Sequence, residues 1–109
     1  MNELVKLVVF VPQSHANAVR QAMGDAGAGK IGNYSHCSFS ASGIGRFKPM
    51  EGAHPVIGDV GKFEVVEEER VECVCERSKA KAVLAAIRNV HPYEEVAFDI
   101  YPLISEDEL

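Results

Sequence analysis

Two stretches, SHANAVRQAM (Ser14–Met23) and SKAKAVLAAI (Ser78–Ile87), repeat one pattern and decide the fold. Apolar residues recur in both at the three- and four-residue spacing of an amphipathic helix. We predict two helices, each buried along one stripe and each with its serine as a plain N-cap. The predicted stripes are Ala18, Val19, Ala22, Met23 and Ala26 in the first helix and Ala82, Val83, Ala86, Ile87 and Val90 in the second.

Each predicted helix lies between two predicted strands. Upstream, LVVFV (7–11) and VECVC (71–75) carry matching apolar positions, and downstream NYSHCSFSAS (33–42) and VAFDIY (96–101) alternate apolar and polar residues. Two strand–helix–strand units predict an α+β ferredoxin-like split βαβ fold, an antiparallel sheet with two helices on one face. The other face must then be polar, meet a partner chain or hold a ligand.

The chain divides into one predicted domain, residues 1–104, and an acidic tail, residues 105–109. All nine glycines fall in the middle of the sequence, so we predict a glycine-rich, loop-rich insertion over residues 43–62. The acidic run Glu67–Glu69 is typical of a solvated strand edge and predicts a bulge there. Whether residues 63–76 form one bent strand or two is left open by the pattern.

Composition limits the classes of function. With 16 acidic and 11 basic residues the formal charge is -5, which argues against a nucleic-acid partner. No apolar run is long enough to span a bilayer, so we expect no membrane association. Three cysteines, two of them in C-x-C spacing, favour a reducing compartment, and we expect a cytoplasmic protein with Cys73 and Cys75 as core residues.

The segment GAGKIG (Gly27–Gly32) fits the glycine spacing of phosphate-binding loops. Such loops follow a strand and open a helix, whereas this segment follows a helix and leads into a strand. Ile31 also stands where a P-loop needs serine or threonine. We therefore interpret GAGKIG as a helix stop and a turn.

Histidine, cysteine and glutamate residues supply the candidates for acid–base or metal chemistry. None has the spacing of a zinc site, and His36 and Cys37 should point to opposite faces of a strand. In HPYEE (91–95) a histidine precedes two carboxylates, which could serve acid–base work. Pro92 equally favours His91 as the end of the second helix, where a cation suits the helix dipole. Both readings stay open at this point.

The pieces IGNYSHCSF, GIGRFKP and HPYEEVAFDIY, in this order, resemble the central domain of the Nif-three-like (YqfO-type) family over nearly the whole chain. That domain is similar to the CutA and PII proteins, which implies the ferredoxin-like fold and a tendency to form trimers. CutA has a similar HPY segment before its last strand. The resemblance also implies that the metal ligands of full-length members lie in flanking halves outside this sequence, so we expect no catalytic residues, metal or cofactor here.

The leading hypothesis is a non-enzymatic, oligomeric CutA/PII-like regulatory or interaction module, a trimer or dimer with a protein partner or small ligand. The alternative is a metal-binding protein or metal-dependent hydrolase-like enzyme using His36, Cys37, His54, His91 and Glu94 or Glu95. A weaker third idea is anion binding through Lys30, Arg46, Lys48 and Lys62. The ligand-binding or interface candidates are Tyr34, His36, Gly45, Phe47, His54, His91, Tyr93, Glu94 and Glu95.

Overall fold

The computed structural model describes residues 3–109, and these form a four-stranded antiparallel sheet with two helices. The elements in chain order are β1 (Leu4–Pro12), α1 (Ala16–Asp25), β2 (Phe39–Phe47), β3 (Glu64–Glu76), α2 (Ala80–Val90) and β4 (Phe98–Pro102). The sheet order is β2-β3-β1-β4, with β1 antiparallel to both β3 and β4 and β2 antiparallel to β3. The predicted ferredoxin-like split βαβ fold is therefore confirmed.

The core lies between the sheet and the two helices. On β3 the buried residues alternate, and Leu7 of β1 lies opposite Cys73 in the strand register, so period-two patterning buries the helix-facing side, while Val8 of β1 is buried as well. Burial of Cys73 and Cys75 confirms their predicted core role. The helix stripes begin two residues earlier than predicted, and the exposed Ala18 and Ala82 are not in them. The fully buried helix residues are Ala16, Val19 and Met23 in α1 and Ala80, Val83 and Ile87 in α2.

The predicted serine N-caps are wrong. A single 3-10 turn precedes each helix, at Gln13–His15 and at Arg77–Lys79, and the N-cap positions are His15 and Lys79 without side-chain capping bonds. The hydroxyl of Ser14 instead bonds the ring Nδ1 of its neighbour His15 at 2.8 Å. The tighter turns satisfy helix-entry groups with backbone bonds, which removes the need for a serine cap.

The second strand begins later than predicted. Ile31 and Tyr34 exchange two backbone hydrogen bonds of 2.9 Å around a tight turn, and His36 follows with a φ of 59°, so the chain is not extended there. Consequently Tyr34 and His36 do not lie on the sheet. Strand β2 runs on through Phe47, and the predicted loop over residues 43–62 is corrected to a segment that begins at Lys48.

Strand β3 is one unbroken element of 13 residues, and the predicted bulge near Glu67 is absent from its register. It lies between β2 and β1, so the acidic run is on a central strand and not on an edge. Glu69 is compensated by Arg20 of α1, whose guanidinium lies 2.5 Å away. Because β1 ends opposite Glu68, residues 64–67 pair only with residues 44–47 of β2. We call this two-stranded projection the β2–β3 ribbon.

GAGKIG forms the predicted helix stop and turn. The amide of Gly27 bonds the carbonyl of Gly24, that of Ala28 bonds Met23, and Gly27 has a φ of 108°, the arrangement of a Schellman cap. The amide of Gly29 then donates to the carbonyl of Val74 at 2.6 Å, which fastens the turn to β3 beyond the start of β2. The amides of Gly27, Ala28, Gly29 and Ile31 are thus bonded to backbone carbonyls and are not free to bind a phosphate.

Residues 106–108 of the predicted acidic tail form an exposed 3-10 turn, and the Ser105 hydroxyl accepts from the Asp107 amide at 3.2 Å. Within residues 3–109 neither helix has the length and apolar character needed to cross a membrane.

Candidate ligand pocket

The sheet face away from the helices carries a charged network over β1 and β3. Arg70 donates to Glu72 at 2.6 Å, and Lys6 lies 4.0 Å from the same carboxylate. The Arg70 guanidinium also stacks 5.5 Å from the centre of the Phe10 ring. Hydrogen bonds to Glu72 and then Tyr101 raise the pKa of Arg70. This part of the face is therefore polar.

A cavity of about 380 Å³ opens where this face meets the segment after β2. This volume lies in the range of small-molecule sites, and most of the lining is apolar or aromatic. Strands β1, β2 and β3 form its floor, and the segments around Ala53 and Tyr93 form its walls. Its lining residues are Phe10, Gly45, Arg46, Phe47, Lys48, Pro49, Ala53, Pro55, Val56, Ile57, Glu68, Tyr93, Glu94, Glu95 and Ala97.

His91 holds the wall that carries Tyr93. The His91 side chain is buried, its Nε2 lies 2.8 Å from the Phe10 carbonyl, and its Nδ1 accepts from the Tyr93 amide at 3.2 Å. These partners assign the proton to Nε2, which donates to the carbonyl. Burial lowers the pKa of His91, and the bond to Phe10 only partly opposes this, so the ring is neutral at pH 7.

His91 is also the C-cap of α2, as one of the two sequence interpretations had it: its amide bonds the carbonyl of Ile87 at 2.9 Å. The expected interaction of a cationic ring with the helix dipole is wrong, because the neutral ring turns away to β1. HPYEE is accordingly a bent segment before β4 and not an extended strand. His91 is therefore a positioning residue for this pocket wall.

Tyr93 places an unsatisfied polar group in this apolar setting. Its ring packs edge-on to Phe47 with centroids 5.8 Å apart and lies 5.2 Å from the His91 ring. Its hydroxyl is buried and makes no hydrogen bond of ordinary geometry with any residue in the described part of the chain. Burial, then the nearby negative charge of Glu68 and a weak hydrogen-bonding contact with its carboxylate, raise the pKa of Tyr93 to about 12. The hydroxyl therefore stays protonated and can act as a donor.

Glu68 lies flat over the backbone of Gly45. A Cβ on Gly45 would fall 2.1 Å from Oε1 of Glu68, so the missing side chain makes room for this carboxylate. Sequence reasoning grouped Glu68 with a solvated acidic run and missed it as a lining residue. The alternation of side chains along β3 was the available signal. Val71 and Cys73 face the core, so even-numbered residues such as Glu68 face the other side of the sheet.

The structure unites some of the predicted site residues and separates others. Gly45, Phe47, Tyr93, Glu94 and Glu95 line the cavity, His91 supports it, and the His54 amide donates to Glu94 at 2.9 Å. Tyr34 and His36 instead follow the GAGKIG turn, which is bound at Val74, about 20 Å along β3 from Glu68 by strand rise. His36 bonds Asp25 there at 2.9 Å.

The metal hypothesis requires His36, Cys37, His54 and His91 to converge. His36 is engaged with Asp25 after the GAGKIG turn, and His91 is engaged with the Phe10 carbonyl of β1. Among residues 3–109 no three histidine, cysteine or acidic side chains lie together as a metal site. Of the basic residues considered for an anion, Arg46 and Lys48 are among the lining residues of the cavity, and Lys30 and Lys62 are not.

The fold of this chain is similar to that of the CutA proteins. The structure of the periplasmic divalent cation tolerance protein CutA from Archaeoglobus fulgidus superposes with a TM-score of 0.69, over 94% of this chain and 85% of that one, at 14% identity. At this identity the likeness concerns the fold alone. CutA from Synechococcus elongatus is similar, with a TM-score of 0.68.

The predicted resemblance to the Nif-three-like proteins is confirmed: this chain is a homologue of one part of them. It is 57% identical over 100 residues to the GTP cyclohydrolase 1 type 2 homolog of Bacillus subtilis, covering 92% of this chain and 27% of that protein. The Bacillus cereus protein related to NIF3 superposes with a TM-score of 0.83 at 52% identity, over 95% of this chain and 26% of that one. The chain thus spans about a quarter of these relatives' length, and no family model matches it.

Proposed function

We propose that this chain is a non-catalytic regulatory or interaction module that associates with copies of itself and binds a small ligand in the pocket beside Tyr93. The observation that carries the proposal is the buried Tyr93 hydroxyl, which lies in the wall of a 380 Å³ cavity and makes no hydrogen bond of ordinary geometry with the described residues, only a weak contact with the Glu68 carboxylate. A buried hydroxyl without a good hydrogen bond costs about 1–3 kcal/mol, which a bound ligand can recover by accepting a hydrogen bond from it.

The non-catalytic part of the proposal rests on the hydrogen bonds made by three histidines. The His91 ring is held between two backbone groups, His36 is bonded to Asp25, and His54 contacts Glu94 through its amide. The name GTP cyclohydrolase 1 type 2 homolog belongs to proteins of which this chain covers about a quarter. We propose that any such activity resides outside this segment. Three free cysteines, Cys37, Cys73 and Cys75, fit the cytoplasmic setting that we propose.

The oligomeric part of the proposal rests on the β2–β3 ribbon. It projects past the end of β1, so on its helix-side face neither helix covers Ile44 or Val65, and Val65 is 58% exposed. Phe63, just before β3, is 82% exposed. Contiguous exposed apolar side chains of this kind mark interaction surfaces, and we propose a second copy of the chain as the partner.

Light scattering tests the assembly. We expect the unmodified chain to have the mass of a dimer or trimer at a concentration on the order of tens of micromolar. Val65→Glu, which places a charge on the ribbon opposite Arg46, should shift the mass toward the monomer. Ala82→Glu adds the same charge on the exposed side of α2 and should leave the mass unchanged. A strictly monomeric unmodified chain would refute the proposed assembly.

A further inference from the structure

The charges around the pocket are unbalanced. Glu68 is partly buried, and no described lysine or arginine forms a salt bridge with it. Of the two basic lining residues, Lys48 holds its ammonium 5.0 Å from the Phe63 ring, away from the lining. Arg46 lies between Gly45 and Phe47 on β2, so strand alternation directs its side chain to the opposite face of the sheet. The Glu68 carboxylate is thus left without a cation in an apolar cleft.

The groups around Glu68 suit a positive charge. Tyr93 and Phe47 present two aromatic rings with centroids 5.8 Å apart, and Phe10 lines the same cavity. Aromatic faces attract ammonium and guanidinium groups, most strongly where water is excluded. Glu94 and Glu95 add two more carboxylates at the mouth. An anionic ligand would have to approach three carboxylates, which repel it.

We propose that the pocket binds a small organic cation, an ammonium or guanidinium group on an apolar body, with the cation at Glu68 and the body against Phe47, Tyr93 and Ile57. Gly45 leaves the space in which the Glu68 carboxylate lies, and the Tyr93 hydroxyl donates to an acceptor on the ligand. This inference rests on the proposed ligand-binding function and specifies its chemical class. It also accounts for the three carboxylates in the lining, which would repel nucleotide phosphates.

Three probes of similar shape and different charge test the proposal: 2-phenylethylammonium, 2-phenylethanol and phenylacetate. Titrations of the full chain would be followed by amide chemical shifts in nuclear magnetic resonance spectra. We expect the ammonium probe to shift the amides of Gly45, Phe47 and Tyr93 and to bind at least about tenfold more tightly than the alcohol, a difference of about 1.4 kcal/mol. Phenylacetate should leave these amides unmoved.

Variants separate the charge from the fold. Glu68→Gln removes the charge with almost unchanged shape and should lower the affinity for the ammonium probe at least about tenfold. Glu67→Gln removes the same charge from the neighbouring position on the other sheet face and should have no effect. Equal binding of the alcohol, or an unchanged affinity in Glu68→Gln, would overturn the cation assignment while leaving ligand binding in place. If none of the probes shifts a pocket amide, the cation assignment is overturned, and the ligand-binding proposal loses its support as well.

Discussion

Replacing Gly29 with alanine should remove a large part of the folding free energy. Gly29 has a φ of 81°, and a Cβ there would fall 2.4 Å from the carbonyl oxygen and 2.7 Å from the amide nitrogen of Cys37. Both neighbours are backbone atoms, so a side-chain rotation cannot relieve the overlap. Moving them would break the bonds from Gly29 to Val74 and from Cys37 to Gly29. We expect a loss of about 3 kcal/mol or more, measured as a lower urea midpoint.

Two other glycines separate steric overlap from backbone strain. Gly32 has a φ of 57° but open space around its Cβ position, so Gly32→Ala should cost only about 1–2 kcal/mol. Gly43 lies in β2 without a positive φ and with open space, so Gly43→Ala should be close to neutral. Equal midpoints for the variants of Gly29 and Gly32 would show that the turn is not packed against Cys37 as described.

His91→Ala should be the second severe substitution. It removes a ring that is 7% exposed, the donor to the Phe10 carbonyl and the acceptor for the Tyr93 amide. A buried cavity and unsatisfied backbone groups together predict a loss of about 2–4 kcal/mol in the free energy of unfolding. His54→Ala is the control, because the His54 amide, and not its ring, bonds Glu94. The control should change stability by less than about 0.5 kcal/mol, and an equal effect of both variants would refute the positioning role.

The same histidine predicts a dependence of stability on pH. Because the folded pKa of His91 is below its ordinary value of 6.5, the unfolded chain takes up the proton first as the pH falls. The stabilisation is full above pH 6.5 and is lost as the pH falls toward the folded pKa. His91→Gln retains a donor for the Phe10 carbonyl but does not titrate. The urea midpoint should therefore decrease more between about pH 7.5 and about pH 5.5 for the unmodified chain than for His91→Gln.

The arrangement of strands and helices was predictable because it depends on periodicity. The buried stripe through Val19 and Met23 and the alternation through Val71 and Cys73 each specify a face, and the repeat places two such units in one chain. The starts of the elements were less predictable. At both helices a 3-10 turn replaced the serine cap, and the bonds between Ile31 and Tyr34 displaced β2 toward the C-terminus. Local backbone bonding of this kind leaves no periodic signal.

The pocket was predictable only in part. HPYEE and the segment containing Gly45 and Phe47 were singled out as candidates, but nothing in the sequence places them beside Phe10 and Glu68. That arrangement depends on the register of β3 against its two neighbours, and register is a property of the whole sheet. Tyr34 and His36 were wrongly predicted to lie on the sheet, because the alternation of apolar and polar residues in β2 continues back into the turn that precedes it.

Native mass spectrometry of the unmodified chain and of Glu68→Gln, each purified under non-denaturing conditions, tests the central claim most directly. It reports the number of subunits and any retained small molecule in one measurement. We predict a closed homo-oligomer that carries a low-molecular-mass ligand, and the same oligomer without that ligand in Glu68→Gln. A bare monomer would contradict the account, as would a ligand retained equally by both proteins.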